Sequence, residues 1–150
     1  MKSPIPTCQA CPHCAHPLLR TCAEASPAAL LDAERALLPT GIELHVNRGE
    51  YLFRQRQEAD FLFVLRGGAL ELADAGSPPR VVNRPTDVVG LEELLLDRPH
   101  PCDGRVLEHT VVLAFDKAQV RHLFARDAQA RRYLLHKLCD GLSQREAGVA

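Results

Sequence analysis

A chain of 150 residues is the length of one ordinary domain, enough to bury a core without staples. Hydrophobic residues at 46% and charged residues at 25% fit a globular protein, and a formal net charge of -1 supplies no basic field to draw in nucleic acid. No run of about 18 apolar residues occurs and the first residues lack the apolar core of a signal peptide, so the sequence predicts a cytoplasmic protein with no spanning helix.

Residues 1–25 are rich in Cys, Pro and His without a sustained period, which predicts an irregular arm ordered only by what it binds. Within it, "CQACPHCAHPLLRTC" runs from Cys8 to Cys22 and holds four of the six cysteines. In a reducing compartment such clustering points to metal ligands or redox-active thiols rather than to bridges. Cys8, Cys11 and Cys14 repeat at two-residue gaps, the spacing by which successive thiolates reach different irons of a cubane. The fourth ligand comes either from Cys22, the nearest thiol, or from Cys102, which would tie the arm to the domain that follows. The same pairs suit a tetrahedral zinc ion, with His13 and His16 as nitrogen donors, so spacing alone leaves iron–sulfur and zinc both open. Cys139 reads as a small buried side chain.

Ser26 can cap a helix, Pro27 suits its first turn, "AALLDAERALL" supplies helix formers, and Pro39 with Gly41 ends it. The period then changes to two: Ile42, Leu44 and Val46 alternate with Glu43, His45 and Asn47 until Gly49. "YLF" and "DFLFVL" continue as strands, the second apolar on both faces, and "RGG" turns the chain into "ALELAD". "GSPP" reads as another turn before "RVVN", followed by "DVVG", a helical turn at "LEELLL", the loop "DRPHP", and closing strands at "GRVLE" and "TVVLAF". Strands this short and this regularly spaced occur in sandwiches and barrels. Asp116 and Gln119 stand at the spacing of a reciprocal cap, and a last helix from about Ala128 to Gln144 carries Leu135, Leu138 and Leu142 beside Tyr133 and Leu134. That stripe packs on its own domain, or forms a dimer seam of about two heptads.

The order of arm, helix, eight or so short strands, capped helix and leucine-bearing helix is similar to the sensor half of Crp/Fnr-type transcription regulators. "NRGEYLFRQRQEADFLFVLRGGALEL" and "VVGLEELLLDRPHP" resemble that family's hairpin region and pocket-facing segment, and the likeness extends over roughly residues 26–145. The resemblance implies a mainly β fold with flanking helices: a double-stranded β-helix, or jelly roll, of the cyclic-nucleotide-binding type. It divides the chain into a metal-binding arm (1–25), a sensor domain (26–127) and a truncated dimerisation helix (128–150). Members that bind cyclic nucleotides carry Gly-Glu and later Arg-Ser around the phosphate, where this chain reads Gly90-Leu91 and Pro101-Cys102. Without that Arg a buried phosphate lacks its bidentate partner, so cyclic nucleotide binding is not expected unless Arg98 or Arg105 substitutes. The cysteine-rich arm resembles the Fnr branch, which implies a [4Fe–4S] cluster that oxygen dismantles, altering dimerisation, with Cys8, Cys11, Cys14 and Cys22 as the matching ligands. The chain departs from that branch in its longer gap from Cys14 to Cys22, and in having Leu113 where the branch has its β-roll cysteine.

His45, His100, His109, His122 and His136 are scattered, no strand carries a His-x-His pair with a following Glu, and no Ser/His/Asp order or phosphate-binding glycine loop is present, so no enzyme is expected. Only "REAGVA" follows the leucine helix, so neither a helix-turn-helix module nor direct contact with DNA is expected. Two functions stay open on these grounds. One is a redox- or oxygen-sensing regulatory module that acts as a homodimer or through a partner regulator. The other is a zinc-held or cyclic-nucleotide-binding-like module that acts through a partner protein.

Overall fold

The computed structural model describes residues 26–149, with side chains as far as residue 141. Eight strands form two antiparallel sheets. In one, β1 (Ile42–Val46), β8 (Thr110–Asp116), β3 (Phe61–Gly67) and β6 (Val88–Val89) lie in that order. In the other, β2 (Tyr51–Phe53), β7 (Asp103–Val106), β4 (Leu70–Asp74) and β5 (Ser77–Val82) do so. Among the described residues, four α-helices accompany the sheets: α1 (Pro27–Leu37), α2 (Leu91–Leu95), α3 (Lys117–Arg126) and α4 (Ala128–Val149). This is the mainly β fold with flanking helices that the resemblance implies.

The chain divides into two compact units. Thr40–Arg121 contains the eight strands described above, α2 and the start of α3. Its interior is built by Phe53, Phe63, Leu65, Leu70, Leu72, Val82, Val89, Val106, Val112 and Ala114, with Val46, Leu52 and Cys102 packed against them. Burying side chains of this size stabilises by about 1.5–3 kcal/mol each relative to exposure. On the opposite face of β3, Leu62 and Val64 are also buried, and α2, with Leu91 and Leu94 buried, packs on that strand. Burial on both faces explains why "FLFVL" runs without alternation. Gly68 closes the β3–β4 hairpin at φ +101°, directly against Thr110.

The described residues of the other unit are 26–39 and 122–149. Ser26 Oγ accepts a hydrogen bond from the Ala29 N–H at 3.1 Å, and Pro27 occupies the first turn of α1, as its sequence requires. α1 packs against α4, where the Tyr133 hydroxyl donates to Glu34 Oε2 at 2.8 Å. Burial, and then Glu34, push the Tyr133 phenol far above its ordinary value, so it stays a donor. Asp127 caps α4 by accepting from the Ala130 N–H at 3.0 Å.

Three sequence expectations are corrected in detail. The turn after β4 lies at Ala75–Gly76, where Asp74 Oδ1 accepts from the Gly76 N–H at 2.7 Å, and Ser77-Pro78-Pro79 belong to β5. Proline is tolerated there because β5 pairs with β4 alone and forms the edge of its sheet. β1 pairs along its length with β8, and Ile42 (64% exposed) and Leu44 (38%) remain exposed on it. Only half of the reciprocal cap forms: Asp116 accepts from the Gln119 N–H at 2.8 Å, while the Gln119 side chain donates to the Thr40 carbonyl at 3.2 Å. In α4, among the described side chains, Ala130, Tyr133, Leu134, Leu135 and Cys139 are buried, so the predicted stripe holds at Leu135 with Tyr133 and Leu134 beside it, whereas Leu138 is only half-buried; the side chain of Leu142 lies outside the described ones.

Candidate functional site

The chemistry of a β-roll sensor would sit where β6, α2 and the loop before β7 meet, because the segments the sequence singled out converge there. Gly90 enters α2 at φ +89°, and a Cβ at that position would lie 3.0 Å from the Phe61 carbonyl and 3.5 Å from His100 Cε1. Pro101 and Cys102 follow His100 directly. The His100 ring is 3% exposed and stacks on Phe53 with centroids 3.9 Å apart and an interplanar angle of 15°. Its backbone is fixed by the β2–β3 turn: Arg56 N–H donates to the His100 carbonyl at 2.8 Å and His100 N–H to the Gln57 carbonyl at 2.9 Å. Gly104 makes room for the stack, since a Cβ there would come within 2.7 Å of the Phe53 ring.

Neither arginine proposed as a substitute phosphate partner turns to this place. Arg98 donates to Glu92 Oε1 at 2.9 Å. Arg105 is exposed on β7, between the buried Gly104 and Val106, so the pleat directs it outward. Beside the stack, a cavity of about 380 Å³ opens between β1 and β2, lined by Leu44, Val46, Tyr51, Phe53, Phe63 and His100 among others. Its charged lining is acidic: Glu50, Glu58 and Asp60, with no Lys or Arg.

Cys102 is half-buried against the roll interior. Burial, followed by the carboxylates of Glu93 and Asp74, pushes its thiol above the ordinary value, which disfavours the thiolate that a metal needs. Among the described residues, no group of three or more His, Cys, Asp or Glu side chains is placed to hold a metal ion. Cys8, Cys11, Cys14 and Cys22 lie outside the described residues. Leu113 is buried in β8, and Cys139 is buried in α4.

The sequence reading missed two features. His100 is the inner wall of the site rather than a scattered surface histidine, and its only local signal is its place between Pro99 and Pro101 in a loop too short to escape the roll. His45 and His109 are brought together, with ring nitrogens 3.2 Å apart, by a register that the sequence does not spell out.

Burial depresses the His100 pKa below its ordinary 6.5, an effect larger than the opposing influence of Asp60. The unfolded chain therefore binds a proton that the folded chain refuses as pH falls below about 6.5, and stability drops through that window. Chemical unfolding at neutral pH and near pH 5 is expected to show this loss, and His100→Phe, which retains the stack, is expected to remove part of it. An unchanged slope in that variant would exclude His100 as the source.

The cyclic nucleotide-binding domain family model matches residues 43–127. No curated protein matches the chain by sequence. Among solved structures, the N-terminal domain of a transcriptional regulator from Streptomyces coelicolor A3(2) superposes with a TM-score of 0.59 at 21% identity, covering 78% of this chain and 84% of that one. The Thermus thermophilus catabolite activator protein gives 0.62 at 19% identity over 83% of this chain, which spans 58% of the activator. A cyclic nucleotide-binding domain from Methylobacillus flagellatus KT gives 0.66 at 14% identity, covering 78% and 68%. Identities this low speak to the fold, and the fold agrees with the family match over more than half of the sequence. The chain therefore belongs to the cyclic nucleotide-binding domain family, with the β-roll of Crp-type regulators as its architecture.

Proposed function

We propose that the chain is a regulatory sensor module that takes its signal through the cysteines of residues 1–25 and not through a cyclic nucleotide in the roll. The observation that carries this reading is the site beside Gly90: the Phe53–His100 stack lies there, and neither Arg98, paired with Glu92, nor Arg105, exposed on β7, is directed to it. A cyclic phosphate taken out of water without a cation to meet it is strongly disfavoured. Titration calorimetry with cyclic AMP and cyclic GMP is accordingly expected to show no saturable binding.

For the arm, the donor set Cys8, Cys11, Cys14 and Cys22 has the thiolate chemistry that iron–sulfur clusters use, and Cys22 is favoured over Cys102 because the latter sits where burial opposes ionisation. A [4Fe–4S] cluster on these residues would supply an oxygen-labile redox centre. The response is then passed on through a second copy of the chain or a partner regulator rather than by catalysis.

Protein purified without air is expected to be brown, to contain iron and acid-labile sulfide, and to lose its visible absorption on exposure to oxygen. Cys11→Ser and Cys22→Ser are expected to abolish iron binding, and Cys102→Ser to leave it intact. Zinc is favoured instead by His13 and His16 within the same stretch. In that case the protein would be colourless, carry stoichiometric zinc and ignore oxygen, and the iron–sulfur assignment would be withdrawn.

A further inference from the structure

The β1–β8 ladder pairs His45 with Val111 and Val46 with Thr110, which makes His109 the diagonal neighbour of His45 on one face. Their rings stand 5.4 Å apart between centroids, tilted by 35°, with His45 Nδ1 facing His109 Nε2 at 3.2 Å. On the far side of the His45 ring, Nε2 lies 3.7 Å from Glu43 Oε2. We propose that His45 and His109 form a binding site for a divalent transition-metal ion of the zinc, nickel and copper class, with His45 Nδ1 and His109 Nε2 as the two protein ligands.

Imidazole nitrogens bind zinc at about 2.0–2.1 Å, so two of them 3.2 Å apart subtend about 100° at a shared ion. That angle lies between the square and the tetrahedral values and suits both copper or nickel and zinc. The metal takes the place of the proton that two neutral imidazoles at this distance otherwise share. Glu43 stands at the nitrogen that does not bind, where a carboxylate orients a ligating histidine and raises its basicity.

Both ligands rest on fixed backbone. His45 lies within β1, paired with Val111 of β8, and His109 directly precedes Thr110, which is fully buried, with its Oγ1 accepting from the Ala69 N–H at 3.2 Å and lying 2.8 Å from the Glu108 carbonyl. A ligand pair held in this way loses little freedom on binding. Calcium and magnesium are disfavoured because they require oxygen donors. The remaining coordination positions face solvent, since His45 and Glu43 are both more than half exposed.

The site is independent of the arm, and the experiment separates the two. The complete chain carrying serine at Cys8, Cys11, Cys14 and Cys22 is titrated with Zn2+ and followed by imidazole NMR. One equivalent is expected to shift the His45 and His109 resonances together and to leave His100 and His122 in place, while Mg2+ shifts neither. His45→Gln and His109→Gln, both substitutions at exposed positions, are each expected to weaken Zn2+ binding by more than about 10-fold, the loss that even an outer-shell partner can produce. In the chain with its arm cysteines intact, either variant is expected to lower zinc stoichiometry by one. Unshifted His45 and His109 resonances, or undiminished binding in both variants, would overturn the proposal whatever the arm is found to hold.

Discussion

Gly68→Ala is expected to destabilise the roll by about 4 kcal/mol, although it removes no contact. At φ +101° an alanine is strained by about 1–3 kcal/mol, and here the added methyl has nowhere to go. Its Cβ would fall 2.7 Å from Thr110 Cα and 2.8 Å from the His109 carbonyl, and against Thr110 Oγ1 as well. Two of those atoms are backbone, one at the first residue of β8 and one just before it, and β8 is held between β1 and β3, so relief requires the β3–β4 hairpin to move away from β8. Overpacking of this kind adds about 1–3 kcal/mol. Gly67 is the control: no atom lies within 4 Å of its Cβ position and its φ is not positive, so Gly67→Ala is expected to change stability by less than about 0.5 kcal/mol. Urea unfolding compares the two. Equal midpoints would mean that the hairpin does not approach Thr110 as closely as described.

The second large effect is expected at Phe53. Truncation to alanine removes a ring that stacks on His100 at 3.9 Å and lies 6.3 Å from Phe63, and buried Phe→Ala changes cost about 3–5 kcal/mol. The cost stands toward the upper end because Gly104, shaped to the ring, offers no side chain to fill the space. The same variant tests what the site lacks. If the aromatic stack merely blocked a competent pocket, Phe53→Ala would gain affinity for cyclic AMP. If the missing element is a counter-charge, the enlarged site still rejects the anion. We expect rejection in titration calorimetry of the folded variant, and measurable binding would reassign the roll as a nucleotide site closed by packing.

Much of the fold was legible because turn residues and apolar alternation agree along this chain. Gly49, Gly67-Gly68 and Gly90 punctuate runs of Val, Leu and Phe, and the strands fall where those runs stand. The misread turn at Ser77-Pro78-Pro79 has a physical reason: proline signals a turn unless the strand is an edge, and edge position is a property of the sheet order, not of the local sequence. Gln119 was assigned to its own helix end and serves Thr40 instead, a partner 79 residues away. The site was less legible. That Pro101-Cys102 stands where the family carries Arg-Ser could be read directly, but the stacking of His100 on Phe53 and the meeting of His45 with His109 depend on contacts over 47 and 64 positions (100 − 53 and 109 − 45), which no local period encodes.

The two prolines of β5 bear on how the molecule behaves in concentrated solution. Pro78 and Pro79 are consecutive, and successive amides of a strand point to opposite sides, so one of the two prolines interrupts the row of donors at the outer margin of the sheet. Edge-to-edge polymerisation, the hazard of any open sheet, is thereby discouraged along that side.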